Sequence, residues 1–569
     1  MSNVSKKNEL RHVYMANNKL VFTINLLLRL TLGFGNLLLS YLLMLVIDMA
    51  VSGEREGLIG TVYISIVTEI VYIIAYYFMR YSFSTFLKRG SLQYKNTVFK
   101  MILDKNIRAV ENSRALYLSA ITNDLTLMET TYYEKVFISI NSLVIFVMSL
   151  AVMFYNNVLL TIISIALMLL PLIVSILTGN KLAMNEKKVS QKNEEFVSVL
   201  KDLLDGFSIL KTYRVEKNAY DQFDNANRAV EDAKYNRRIL AKLIDLLSDF
   251  AGTIAQFGLF LIGAFFVVDS QEVTVGMLAL FLQLMNYILA PLNVIPNVIS
   301  AKKSVDVLTE KLSKALDSED SDESKIKIGK LKNNIRFDDV TFSYDENKNV
   351  LQNVSLNFEK GKSYALVGMS GCGKSTILNL IMGINPDYSG KITYDDVEIK
   401  DIDLESIYKN ISLVQQKVFM FNDTIKNNIT LYRNVSDKDL NDAIDKSGLR
   451  GLVDSKGLDY LCGEGGINLS GGEQQRIAIA RSLLSNTEVI LFDEATSALD
   501  NTTGNMIMKT ILAMKSTTRI MVTHQYQREI LSEIDEIIVL KNGVIIESGS
   551  FEELLDKKGY FYSLYTIGD

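Results

Sequence analysis

The sequence predicts a multidomain membrane protein, all-α over its first part and α/β over its second. Three observations carry this. The first 300 or so residues hold several apolar runs long enough to cross a bilayer, and the remainder holds none. From about Ile335 onward, short β-branched segments alternate with helical ones, the pattern of a mostly parallel sheet covered by helices. Between an apolar strand and a helix in that second part lies a glycine-rich turn at 368–376. At 569 residues the chain is too long for one core. A membrane domain over 1–315, an acidic linker over 316–330 and a second domain over 331–569 are therefore expected.

Residues 1–19 are polar and basic, with Lys6, Lys7, Arg11 and Lys19. The apolar run 20–50 is too long for a secretory signal and has no small-residue cleavage site, so it reads as a retained helix. Six spans follow, at about 20–49, 58–83, 136–155, 157–178, 250–269 and 273–300. The connections 51–57, 156–157 and 269–272 are short. Those after spans two and four are long and basic, with Lys88, Arg89, Lys95 and Lys100, then Lys181, Lys187, Lys188, Arg237 and Arg238. Positive loops stay inside, so both termini and the second domain face the cytoplasm. Residues 86–135 and 180–249 have high helical propensity, no proline and little glycine, so the spans should run on into the cytoplasm as helical hairpins. Breaks are expected near Asn112-Ser113-Arg114 and Asp205-Gly206, with short docking segments at the tips.

A net charge of −5 argues against a nucleic-acid binder. The only cysteines, Cys372 and Cys462, form no disulfide framework and suit a reducing compartment. The absence of Trp, the 4 prolines and the abundance of Lys, Ile and Asn suggest a bacterial source. The stretch 317–324, rich in Asp, Glu and Ser, reads as a solvated hinge.

Gly368-Met369-Ser370-Gly371-Cys372-Gly373-Lys374-Ser375-Thr376 fits G-x-x-x-x-G-K-[ST], a loop that cradles phosphates. Its context is the required one, a short strand at 364–367 and a helix at 377–382. The glycines leave backbone N–H groups free to converge on phosphate oxygens at a helix N-terminus. Lys374 can then reach the β- and γ-phosphates, and Ser375 can ligate Mg²⁺. A second apolar strand, Val489-Ile490-Leu491-Phe492, ends in Asp493 and Glu494. Without the phosphate loop these would be surface acids that stop a buried strand. Beside it, the first can hold Mg²⁺ and the second can orient an attacking water. Leu469-Ser470-Gly471-Gly472-Glu473-Gln474-Gln475-Arg476 opens another helix. There a serine hydroxyl and glycine N–H groups make a second phosphate-binding surface.

With these companions, the 469–476 motif resembles the signature of the nucleotide-binding domain of ATP-binding cassette (ABC) transporters. The six spans with long cytoplasmic extensions resemble the exporter-type membrane domain of that family. The likeness runs over essentially the whole chain. It implies that Tyr344, in Phe342-Ser343-Tyr344, stacks on adenine. It puts Gln416, in Val414-Gln415-Gln416, near Mg²⁺ and the attacking water. It makes Gly463-Glu464-Gly465-Gly466 a contact with the membrane domain, Asp493 the Mg²⁺-holding aspartate and Glu494 the catalytic glutamate. Ser497 and Asp500 fall in the D-loop, and His524, after Thr523, contacts the γ-phosphate. Leu469, Ser470, Gly471, Gly472 and Glu473 would complete the ATP site of a second subunit. A lone histidine after an apolar strand is commonly structural, but here the family position decides for function. His12, the other histidine, reads as surface. Cys372 stands where many relatives carry Ser, and Gln415 where Pro is usual, and neither puts activity in doubt. With the whole catalytic set in one chain, a homodimer is favoured over a heterodimer with a second half-transporter.

Ionisable groups inside spans cost about 2.5–3.5 kcal/mol at the bilayer centre. Arg29 and Glu69, counted inward from opposite faces, fall at roughly 15 and 16 Å and are expected to pair, fixing two helices or touching cargo. In span six Gln283, Asn286, Ala290, Asn293 and Asn297 recur at helical spacing with Tyr287 beside them. Such a stripe must face helices or water rather than lipid, either in a translocation cavity or in helix packing. Pro291 and Pro296 would bend this helix. The expected function is Mg-ATP-driven export across the plasma membrane. The cargo is a hydrophobic or amphipathic drug or lipid, or a small peptide. An ATP-gated sensor or channel is the alternative, against which the intact catalytic residues argue. The spans and the 469–476 motif exclude a soluble ATPase or kinase.

Overall fold

A computed structural model describes residues 3–269, 273–317, 325–345, 348–494, 499–524 and 526–568. Residues 318–324 of the acidic linker and Ser497 of the expected D-loop lie outside them. The chain divides into two compact units, Met1–Leu103 with Arg114–Asp317, and Asp104–Ser113 with Ser318–Asp569.

Six long helices among the described residues build the first unit. They are Lys19–Ser52, Arg55–Leu103, Glu134–Asn156, Val158–Asp205, Glu216–Asp269 and Val275–Asp317. The first five lie in stretches long and apolar enough to cross a membrane, at mean hydropathy 2.0 to 2.7, and the last opens with the shorter apolar stretch Val275–Ile288. Gly53, at φ 77, ends the first of them in a left-handed cap. The Asn157 side chain accepts the Leu160 N–H at 2.9 Å and starts the fourth. Arg55–Leu103 has 49 residues, about 74 Å at 1.5 Å per residue. That is more than twice the hydrocarbon thickness, so the span runs on into the long loop as helix, as the composition predicts.

The break expected at Asn112-Ser113-Arg114 falls earlier, at Asp104-Lys105-Asn106, and helix Ile107–Ile121 runs straight through 112–114. Asn106 Oδ1 accepts the Ala109 N–H at 2.8 Å, a cap stronger than any signal at 112–114. The second break falls at Gly206, followed by the short tip helix Phe207–Thr212. The basic N-terminal segment is itself a helix, Asn3–Ala16, because Leu10, Val13 and Tyr14 share one face and bury it. Tyr14 stacks on Tyr133 with ring centroids 4.1 Å apart.

The second unit holds β1 (Asn334–Asp345), β2 (Lys348–Glu359), β3 (Ser363–Val367), β4 (Tyr388–Tyr394) and β5 (Val397–Glu398). It continues with β6 (Ile411–Val414), β7 (Val489–Asp493), β8 (Thr518–Val522), β9 (Glu536–Lys541) and β10 (Val544–Gly549). One sheet runs β10-β9-β3-β8-β7-β6, parallel except for β10 at its edge. Every residue of β3 and β8 is buried, as expected of strands covered on both faces. A second, antiparallel sheet runs β2-β1-β4-β5. The alternating strand and helix pattern does not announce it, because it is built from two hairpins, β1-β2 and β4-β5, joined through the β1–β4 pair. Phe337 and Phe358 of this sheet share a core with Tyr364 and Leu366 of β3, so the phosphate loop rises from a strand packed on both sides.

Candidate active site

β3 feeds the loop 368–373 and helix Lys374–Ile381. Gly368 and Gly373 have φ of 151 and 108. A β-carbon at 368 would strike the Leu540 carbonyl oxygen, and one at 373 would stand 2.6 Å from Leu351 Cδ2. Glycine is needed at both for space as well as for backbone angle. Lys374 is only 5% exposed, and its Nζ donates to the Gly368 and Met369 carbonyls at 2.8 and 3.0 Å. The cation thus sits inside the loop, with the Cys372 sulfur 3.9 Å away. Ser370 and Gly371 form the exposed rim.

Ser375 Oγ donates to Asp493 Oδ1 at 2.9 Å. Burial pushes the Asp493 carboxyl up, and the neighbouring Glu494 adds to this against the Ser375 hydrogen bond and the Lys374 and His524 charges. Glu494 has φ 51, a left-handed conformation rare outside glycine, and its N–H donates to the Val522 carbonyl at 3.2 Å. Both its oxygens are engaged. Gln416 Nε2 donates to Oε2 at 2.7 Å, and His524 Nε2 stands 3.1 Å from Oε1. Gln416 follows β6, Glu494 follows β7 and His524 follows β8. Three neighbouring strands therefore deliver one group each at their C-terminal ends, where open α/β sheets bind ligands.

The Ser375 hydroxyl and Asp493 carboxylate are hard oxygen donors of the kind Mg²⁺ takes. Among the described residues no group of three or more His, Cys, Asp or Glu is placed to hold a metal. Few protein ligands suit Mg²⁺, which draws the rest from phosphates and water. Gln416 lies on Glu494 rather than on Asp493. Tyr344, on β1, is 56% exposed, and its hydroxyl shares a 3.4 Å hydrogen bond with Thr376 Oγ1. More than half of the residue is thus left open beside the loop.

Ser470 caps helix Gly471–Ser485 in a reciprocal box. Its Oγ accepts the Glu473 N–H at 3.3 Å, and Glu473 Oε2 accepts the Ser470 N–H at 2.7 Å. Burial opposes the charge on Glu473, but the Ser470 hydrogen bonds outweigh it and hold its pKa below the usual carboxylate range. Leu469 is buried behind the cap, while Ser470 and Gly471 are exposed and Gly472 half-buried. Asp500 caps helix Asn501–Leu512 by accepting the Thr503 N–H at 2.9 Å. Among the described residues no hydrogen bond links the 469–473 motif or Asp500 to the loop, Asp493 or Glu494.

In the membrane half the expected pairing of Arg29 with Glu69 does not form. Asn18 Nδ2 donates to the Phe86 carbonyl at 2.8 Å, Ser82 Oγ to that of Val21 at 3.3 Å, and Asn25 Nδ2 to that of Met79 at 2.8 Å. This antiparallel register sets Arg29 level with residues 74 and 75. Glu69 is exposed and level with residue 35, about 9 Å farther along. Arg29 instead donates Nε to Asn25 Oδ1 at 2.7 Å and lies over the Phe137 ring at 5.2 Å. In Val275–Asp317, Gln283 and Asn286 are exposed and Tyr287 half-buried. Asn286 Oδ1 accepts from Gln256 Nε2 at 2.7 Å, a helix–helix contact. The side chains of Asn293 and Pro296 lie outside the described residues. Sequence reasoning passed over Arg80 and Tyr76, although an arginine four residues from a tyrosine near the end of a span was there to be read.

Two family models match, ABC transporter transmembrane region over residues 22–292 and ABC transporter over residues 351–497. The chain is 31% identical over 439 residues, 74% of each chain, to a Staphylococcus aureus protein named "Putative multidrug export ATP-binding/permease protein". It is 33% identical over 351 residues to the ATP-dependent lipid A-core flippase of Francisella tularensis, covering 59% of this chain and 57% of the flippase. Over 582 residues it is 27% identical to the uncharacterized ABC transporter ATP-binding protein YfiC of Bacillus subtilis, covering 98% and 94%. The fold matches a bacterial Atm1-family ABC exporter with ATP bound at TM-score 0.80 and 22% identity, covering 97% and 98% of the two chains. The strand-end groups around the phosphate loop and the six long helices thus have one common explanation: the chain belongs to the ABC transporter family, as an ATP-hydrolysing exporter half-transporter whose membrane domain and nucleotide-binding domain are fused.

Proposed function

We propose that two copies of this chain form a Mg-ATP-driven exporter whose two nucleotide sites are each shared between subunits. The observation that carries the reading is the bracketing of Glu494 by Gln416 at 2.7 Å and His524 at 3.1 Å, beside the Ser375–Asp493 contact at 2.9 Å. Held on both oxygens, Glu494 orients a water for in-line attack and accepts its proton. His524 reports the γ-phosphate to the same carboxylate. Lys374 exchanges two backbone carbonyls for phosphate oxygens, and Tyr344 offers its exposed surface to adenine. Ser375 and Asp493 would hold Mg²⁺, with Gln416 nearby, and the bound ion neutralises developing phosphate charge. Leu469, Ser470, Gly471, Gly472 and Glu473, with Ser497 and Asp500, then serve the partner's site.

Support for a dimer comes from the two cytoplasmic tips. The first, Asp104–Ser113, groups with the nucleotide-binding unit, where Arg108 Nη1 meets Asp387 Oδ2 at 2.8 Å. The second groups with the membrane unit and leaves Phe207 55%, Ile209 60% and Tyr213 74% exposed. An apolar tip outside the bilayer fits a seat on a second subunit, and the full catalytic set favours identical copies. The basic long loops support cytoplasmic termini in a bacterial plasma membrane. The relatives' names, a lipid A-core flippase and a multidrug exporter, support an amphipathic lipid or drug as cargo ahead of a small peptide. Purified chain in nanodiscs should hydrolyse ATP only with Mg²⁺ and only in particles holding two copies. Equal activity per chain in single-copy particles would overturn the shared-site reading.

A further inference from the structure

Near the cytoplasmic end of the spans the chain carries positive charge that it does not answer. Arg29 is 7% exposed and has one side-chain acceptor, Asn25 Oδ1, at 2.7 Å. The register places it within about two residues of the level of Tyr76, whose hydroxyl holds a second arginine, Arg80. Arg80 is exposed and donates Nε and Nη2 to the Tyr76 hydroxyl at 3.0 and 2.7 Å. Among the described residues neither arginine forms an ion pair. Two neighbouring guanidinium groups in an apolar setting call for an anion, because a buried charge left unpaired is costly.

Their height says which anion. On the exporter topology proposed above, residues 58–79 span about 32 Å, the thickness of the hydrocarbon core. Arg80 then stands at the inner headgroup level. Arg29, level with residues 74 and 75, is about one and a half helical turns deeper. Farther along the same seam, Gly33 lies against Val144 and Ile145 of helix Glu134–Asn156. Just beyond is a cavity of about 310 Å³ lined by Phe34, Leu37, Leu38, Tyr41, Met148 and Val152. It begins about 7 Å past Arg29 and extends about 18 Å past it. The seam is cationic at its mouth and apolar behind.

We propose that this seam binds an anionic phospholipid of the inner leaflet, with its phosphate between Arg80 and Arg29 and an acyl chain in the apolar slot. Phosphate oxygens supply acceptors that Asn25 and Tyr76 provide only in part, and a net negative head neutralises the pair where a zwitterionic one does not.

The test uses full-length protein in nanodiscs of phosphatidylcholine mixed with phosphatidylglycerol, and native mass spectrometry reads the lipid retained. Wild type should prefer phosphatidylglycerol. Arg80→Gln should cut that preference about fivefold and Arg29→Gln/Arg80→Gln about 30-fold, while Arg80→Lys keeps most of it. Met148→Trp, which fills the slot, should lower retention of both lipids alike. Equal preference in wild type and Arg80→Gln overturns the proposal. Thermal melting checks that each variant is folded, and the exposed Arg80 carries the test if Arg29→Gln is not. ATP-driven transfer of headgroup-labelled phosphatidylglycerol in proteoliposomes would make the bound lipid cargo. Retention without transfer would make it a resident lipid, and either supports the site. If only the export reading fails, lipid retention in Glu494→Gln stays at the wild-type level.

Discussion

The two halves of this molecule use polar side chains in opposite ways. In the nucleotide-binding unit each one is held by another, Ser375 on Asp493 and both Gln416 and His524 on Glu494, all within 3.1 Å. In the membrane half the two arginines have no carboxylate partner among the described residues. Arg29 and Arg80 hold only an amide and a hydroxyl, and Gln283 is exposed. Attack on a phosphate needs atoms placed to a fraction of an ångström. That placement comes from adjacent strand ends, where the backbone leaves each side chain little choice. Recognition of an amphiphile needs only a charge and an apolar slot at matching heights, which helix faces supply.

This contrast can be broken most severely at Glu494. Glu494→Gln keeps the shape but removes the carboxylate bracketed by Gln416 and His524. Steady-state ATP turnover should fall about 10²–10⁴-fold while nucleotide binding survives. A variant that turned over at the wild-type rate would take Glu494 out of the chemistry. Next comes the loop. Gly368→Ala forces a β-carbon into the Leu540 carbonyl at a backbone angle alanine resists, and should cost about 1–3 kcal/mol, read as a lower Tm.

Ser470→Ala should cost about 1 kcal/mol by opening the capping box. Part of that cost should depend on pH. A carboxyl whose pKa is lowered on folding, as that of Glu473 is, stabilises above its unfolded value. The Tm gap between wild type and Ser470→Ala should thus be full at neutral pH and shrink on acidification through the carboxylate range. A gap that widened there would contradict the assignment. Asn286→Ala, which loses the Gln256 contact and a long 3.5 Å bond to the Leu282 carbonyl, should cost least, about 0.6 kcal/mol. A loss as large as that of Gly368→Ala would mean that the membrane half is as tightly interlocked as the site.

What was legible in the sequence follows the same division. The phosphate loop could be read because its glycines answer backbone needs that no other residue meets. Asp493 and Glu494 could be proposed from their place at the end of an apolar strand beside that loop, whereas Gln416 and His524 were reached only through the family resemblance. The spans were plain because nothing but lipid explains such long apolar runs. The Arg29–Glu69 pairing failed because depths were counted from span ends, whereas the helices overrun the membrane and the bonds of Asn18, Asn25 and Ser82 decide their register. The first helix break was misplaced because neither 104–106 nor 112–114 carries a proline or glycine. The N-terminal helix was missed because three buried residues in a short basic stretch make too weak a stripe.

The central claim is that each ATP site is completed by a second subunit, and trans-complementation tests it most directly. One subunit carries Lys374→Ala and its differently tagged partner Ser470→Arg, and the mixed dimer is purified through both tags. Shared sites leave one intact pair in that dimer, so it should hydrolyse ATP. A dimer with both changes in one subunit and none in the other should hydrolyse almost none. The reverse ranking would contradict the account and place each signature with the phosphate loop of its own chain.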